Sequence, residues 1–128
     1  MIVVDSSVWV EALRRADSEE AEALGPLLDD DQIALVAPVR LELLLGATRR
    51  QAPRLRKLLS ALPCWLPARD DWQIAESWVE PALRAGQRFG FADLLIAAMA
   101  SCHRASIWSN DRDFRRMERL GLVELYHP

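Results

Sequence analysis

"MIVVDSSVWVEAL", residues 1–13, decides how the chain folds. "MIVV" is short, continuous and β-branched, the pattern of a buried strand. Asp5 follows it at once, and Ser6 or Ser7 is placed to cap a helix running to about Arg15. The same alternation repeats down the chain. "SEEAEALGPLLDD" reads as a second helix, with Ser18 as its cap, glutamates in its first turn and an expected interruption at Gly25-Pro26. "IALV" is a second strand, and Pro38 suits the first turn of a helix reaching about Thr48. A basic helix is expected from about Gln51 to Leu62, with Pro53 in its first turn, followed by a weak strand, "CWLP". A long helix starts near Asp70 and Asp71, and Pro81 is expected to kink or end it. A further helix covers about Phe91 to Arg104. "SIW" is then a strand, "DRDFRRMERL" a short helix and "LVELY" a final strand.

Strands alternating with helices predict an α/β fold, a parallel sheet with helices on both faces. In such a fold the helices run antiparallel to the strands. Strand C-termini and helix N-termini therefore share one edge, where α/β proteins place their ligands. At 128 residues the chain is read as one domain spanning residues 1–128.

About half of the residues are apolar, which is enough for a core, yet no run is long enough to cross a membrane. The start lacks the basic region and long apolar stretch of a secretory leader. Cys64 and Cys102 sit among apolar neighbours without metal-ligand spacing, and are read as reduced core thiols of a cytoplasmic protein. Trp9, Trp65, Trp72, Trp78 and Trp108 are read as core or dimer-interface residues, with Trp9 and Val10 as candidate dimer contacts. His103 and His127 are read as structural or solvated.

The net charge of −3 is unevenly spread. Residues 1–31 hold nine acids against two arginines, whereas residues 32–128 hold fourteen basic groups against ten acids. The stretch "RRQAPRLRK" carries Arg49, Arg50, Arg54, Arg56 and Lys57 with no acid among them. Such a stripe is either a solvated helix face or a nucleic-acid surface.

Four acids far apart in sequence are expected to converge. Asp5 and Asp111 each lie just beyond a strand, on the carboxyl edge of the sheet. Glu42 lies in the first turns of the helix entered through Pro38, and Asp93 in the first turn of "FADLLIAAMA", so both point to that edge. Asp113 lies close enough to be a fifth. Each has an ordinary explanation alone, as a helix cap, a dipole partner or turn chemistry. Together they repel, and a cation must offset them. Arg40 and Arg112 are candidate partners but too few to balance the group. An oxygen-only donor set points to a hard divalent ion, Mg²⁺ or Mn²⁺, and the absence of histidine and cysteine from it argues against zinc. Phosphate chemistry suits such a centre. No P-loop pattern is present, and Lys57 is the only lysine.

"IVVDSSVWVEAL", "VRLELLLGA" around Glu42, "GFADLLIAAMA" around Asp93 and "WSNDRDF" around Asp111, in this order and on a chain of this length, together resemble the PIN-domain nucleases, and among them the VapC-type toxins of bacterial toxin–antitoxin pairs. The resemblance covers essentially the whole chain. It implies a three-layer α/β/α sandwich with a central parallel sheet of about four to five strands, and Mg²⁺- or Mn²⁺-dependent cleavage of RNA, often a tRNA or rRNA. It implies a homodimer, and a cognate antitoxin that blocks the acidic pocket. Carried over motif by motif, Asp5, Glu42, Asp93 and Asp111 are the catalytic acids, with Asp5, Asp93, Asp111 and Asp113 holding the metal. Ser6 and Ser109 match supporting hydroxyl positions. The regions 18–31 and 49–62 are expected to form the clip for antitoxin and RNA, and the five basic residues at 49–57 to contact phosphates. Two other readings compete: a non-catalytic PIN-fold module that binds RNA or protein, and a phosphatase using Asp5 as nucleophile. The phosphatase reading wants a second acid where Ser7 stands.

Overall fold

The computed structural model describes residues 1–128. Four strands, β1 (Ile2–Val4), β2 (Ile33–Val36), β3 (Cys64–Trp65) and β4 (Ser106–Trp108), form one parallel sheet in the order β3-β2-β1-β4. Seven helices flank it, giving an α/β/α sandwich: α1 (Ser6–Arg14), α2 (Glu19–Asp29), α3 (Ala37–Gly46), α4 (Ala52–Ser60), α5 (Arg69–Arg84), α6 (Phe91–Cys102) and α7 (Arg112–Arg119).

Val3 and Val4 of β1, and Ala34, Leu35 and Val36 of β2, are fully buried, as the unbroken apolar runs require of strands covered on both faces. They pack with Trp9, Val39, Leu59, Ile96, Met99, Phe114 and Met117 into one core. The chain builds outward from β1 through β2 to β3, then returns to place β4 on the other side of β1. The direction of construction therefore reverses beside β1, and at such a switch point the carboxyl ends of the strands open a crevice.

Several expectations change. The helix at 19–29 runs through Gly25-Pro26 without a break. Glycine has no Cβ to collide with the proline ring, so the usual restriction on the preceding residue is relaxed. Pro81 does not end α5 at once; the helix continues one more turn to Arg84. Ser77, whose carbonyl loses a donor there, is exposed, so water can replace it. The expected strand "LVELY" shrinks to a single bridge between Leu125 and Ile107. The chain enters it from a turn at Gly121 (φ 76°). It makes two bonds to β4, Ile107 N–H to the Glu124 carbonyl at 2.9 Å and Tyr126 N–H to the Ile107 carbonyl at 2.7 Å. The Leu125 N–H faces away and donates to the Glu118 carboxylate at 3.2 Å. Trp9 is buried in the core, which leaves only Val10 of that pair exposed for a partner. Of the core and dimer-interface readings of Trp72 only the second stays open: it is exposed and lies 5.9 Å from Phe91, ring centre to ring centre. Both cysteines are free thiols; Cys64 is half-buried and packs against the core, whereas Cys102 is exposed at the end of α6 and is not a core thiol. His103 is structural, stacked on Trp65 at 4.0 Å with Nδ1 bonded to the Met99 carbonyl at 2.8 Å.

Candidate active site

Asp5 is the N-cap residue of α1 and is only 4% exposed. Its side chain does not cap the helix. Its Oδ2 instead accepts two hydroxyl bonds, from Ser7 Oγ at 2.8 Å and from Ser109 Oγ at 2.8 Å. Those hydroxyls are themselves held. Ser7 Oγ accepts from the Asn110 N–H at 3.1 Å, and Ser109 Oγ accepts from the Asp111 N–H at 2.9 Å. A carboxylate buried after β1 is thus stitched to the loop that leaves β4.

Glu42 sits in the second turn of α3. Its Oε2 receives a long bond from Ser6 Oγ at 3.4 Å, and its Oε1 is buried with no partner. Burial raises its pKa first and the Asp5 charge second, while the Ser6 bond opposes both. Asp93, in the first turn of α6, is pushed up to about 7. Desolvation is the main cause, followed by the charges of Asp5, Asp111, Glu42 and Asp113 in that order. Asp93 therefore feels the charge of all four other acids, and Glu42 that of Asp5. The oxygens of Asp93, Asp111 and Asp113 come within 4.8 Å of each other.

Asp111 also performs the ordinary task expected of it, capping α7 by accepting from the Asp113 N–H at 2.9 Å. Asp113 is the one member with a counter-ion, Arg116 at 2.8 Å. The candidate partners Arg40 and Arg112 make no ion pair; Arg40 donates to Ser60 Oγ at 3.3 Å. Of the two supporting hydroxyls expected, Ser109 reaches Asp5, whereas Ser6 turns to Glu42. Sequence reasoning missed Ser7, which fills the second place on Asp5. Its signal was available: a hydroxyl two residues after a carboxylate at a strand end is a common local turn.

The PIN domain matches residues 2–120 of this sequence. Ribonuclease VapC11 of Mycobacterium tuberculosis is 35% identical over 126 residues, covering 94% of this chain and 93% of its own length, and the VapC ribonuclease Mb1587 of Mycobacterium bovis matches equally well. The chain belongs to the VapC ribonuclease family of PIN-domain proteins. Solved structures repeat the fold. A VapBC2 complex from Rickettsia felis bound to promoter DNA superposes with a TM-score of 0.82 at 21% identity, covering 98% of both chains. FitAcB from Neisseria gonorrhoeae gives 0.80 at 24% identity, covering 100% of this chain and 98% of the other.

In this PIN domain Glu42, alone among the five acids, borders an apolar groove of about 800 Å³ between α1, α3 and α4. Val10, Leu13, Leu43, Leu55 and Leu58 form its walls, Arg14, Arg50 and Arg54 line its margin, and Glu42 lies in it. The five basic residues at 49–57 are exposed and carry no ion pair. No helix is long and apolar enough to cross a membrane.

Proposed function

We propose that this protein is the ribonuclease toxin of a toxin–antitoxin pair, a Mg²⁺- or Mn²⁺-dependent endoribonuclease acting on a structured RNA such as tRNA or rRNA. The observation that carries the reading is the imbalance at the sheet edge. Asp93, Asp111 and Asp113 bring their oxygens within 4.8 Å of one another, and only Asp113 has an arginine. Burial first, and then the charges of Asp5, Asp111, Glu42 and Asp113, push Asp93 up to about 7. The donors fit a hard dication. All are oxygens, the free oxygen of Asp5 is oriented by the two hydroxyl bonds on the other, and Glu42 Oε1 has no protein donor. Asp5, Asp93, Asp111 and Asp113 would hold the ion, directly or through water. A divalent ion there supplies an acidified water and neutralises charge on the phosphoryl oxygens.

The chain's own residues supply the rest. Glu42, partly desolvated and close to Asp5, positions the attacking water and takes its proton. In-line attack on phosphorus breaks the bond to the 3′ oxygen, leaving a 5′-phosphate and a 3′-hydroxyl. Arg49, Arg50, Arg54, Arg56 and Lys57 bind flanking phosphates, so RNA affinity falls with added salt. The groove beside Glu42 takes an amphipathic acidic segment of the antitoxin, because leucines line its walls and arginines its margin. An antitoxin seated there would cover Arg50 and Arg54 and block the cavity in one step. A homodimer would form through α5, where Trp72, Val79 and Leu83 expose an apolar strip at helical spacing.

The test is incubation of purified protein with total RNA and Mn²⁺, with and without chelator, followed by mapping of 5′ ends. Discrete, chelator-sensitive ends that vanish in Asp93→Asn support the reading. Binding of RNA without cleavage would leave a non-catalytic module instead.

A further inference from the structure

The residues leaving β4 border a second cavity, of about 510 Å³, which the proposed reaction does not use. It lies between the start of α2, α7 and the segment that ends at Pro128. Its volume falls within the range of small-ligand sites. One wall is aromatic: Tyr126, half-buried, meets Trp108 edge to face at 5.7 Å. Asn110 Nδ2 donates to Glu20 Oε1 at 3.2 Å, which joins the β4 loop to α2 and fixes one carboxylate in the lining. Arg115 supplies guanidinium donors and has no ion-pair partner. Ser109 belongs to this lining and also donates to Asp5. Any occupant therefore sits next to the carboxylate cavity, one residue away.

An aromatic wall, a carboxylate acceptor and a guanidinium donor describe the faces of a nucleobase. They also discriminate between bases. Only guanine offers two adjacent donors, N1–H and N2–H₂, to a carboxylate, together with the O6 and N7 acceptors that arginine prefers. Glu19 and Glu20 would repel a phosphate, so the base enters the cavity and the backbone stays outside.

We propose that this cavity takes an unpaired guanine adjoining the scissile phosphate, and so selects where the RNA is cut. The proposal rests on the ribonuclease reading above, and its test separates the two. Binding of 5′-GMP, read by tryptophan fluorescence, reports on the cavity without any cleavage. GMP should bind at least about tenfold more tightly than AMP, CMP or UMP, the cost of one mismatched bidentate contact. Glu20→Gln, which keeps the shape and the Asn110 contact, should abolish that preference with an unchanged circular dichroism spectrum. Mapped 5′ ends should show guanine enriched at one fixed offset from the cut. In an oligonucleotide with inosine at that offset, which lacks N2–H₂, cleavage should slow about tenfold in the wild type and much less in Glu20→Gln. GMP selectivity without any RNA cleavage would sink the ribonuclease reading and leave the base site standing. Equal binding of the four nucleotides, or an equal inosine penalty in both proteins, overturns the base site. So does a Glu20→Gln variant that loses only antitoxin affinity while keeping its GMP preference.

Discussion

Asp5 and Asp93 stand at the same sheet edge with the same formal charge, yet the fold treats them in opposite ways. Asp5 is almost completely buried and has two hydroxyl donors on one oxygen. Asp93 has no hydrogen bond, and burial first and its four acidic neighbours second drive its pKa to about 7. The first is oriented by neutral groups that fix direction without cancelling charge. The second is left uncompensated, so the metal-free protein is under electrostatic stress that a dication would relieve. A site built for stability alone would have paired both with arginine, as Asp113 is paired with Arg116.

The largest expected effect tests whether both acids serve one reaction. Asp5→Asn and Asp93→Asn should each slow RNA cleavage about 10³-fold or more, since several kcal/mol of charge stabilisation would depend on the ion they are proposed to hold. Retained chelator-sensitive cleavage in either variant would break the pairing. Next comes the orienting hydroxyl. Ser7→Ala should weaken Mn²⁺ binding about 10-fold to 100-fold, the usual cost of losing a group that aims a ligand, and Ser7→Thr should restore most of it. Equal affinity in Ser7→Ala by calorimetry would show that Asp5 needs no aiming.

The pH dependence sharpens the contrast further. The folded pKa of Asp93, about 7, lies above its unfolded value of 3.8, so the native state holds the extra proton between those values. The stability of the metal-free protein therefore falls as pH rises through that window. Ion binding must displace the proton, so affinity should drop about tenfold for each pH unit below 7 and level off above it. Asp93→Asn should flatten that slope and Asp5→Asn should keep it. In the absence of metal at pH 8, Asp93→Asn should also melt about 3 °C higher than the wild type. The smallest effect concerns the basic stripe. Arg54→Ala should weaken RNA binding modestly and lower the slope of log affinity against log salt by about one unit.

Much of this arrangement was legible in the residues. Asp5 and Asp111 could be placed because each directly follows a strand signal, and Asp93 because its helix begins two residues earlier. Those positions depend only on local pattern and on the shared polarity of strands and helix starts. Partner choice was not legible. Ser6 and Ser7 are equivalent in sequence, and only the turn of α1 sends one to Glu42 and the other to Asp5. Arg116 rather than Arg112 meets Asp113 because the pair is spaced by one helical turn, three residues apart. The uninterrupted helix through Pro26 and the shortened segment at 122–126 escaped for a similar reason. Whether a missing donor matters depends on what surrounds it, and surroundings belong to the fold.

The Ser109 hydroxyl serves both sides at once: its proton goes to Asp5, and one lone pair accepts from the backbone of Asp111. The two sides of the acidic edge therefore hang together on this oxygen atom, like two gates on one post, with the Ser7 hydroxyl as a second post between Asp5 and the Asn110 N–H. Descendants of this sequence cannot drift at one gate alone. A replacement at position 109 that lacks a hydroxyl would misalign both at once, and a compensating change would have to repair two geometries together.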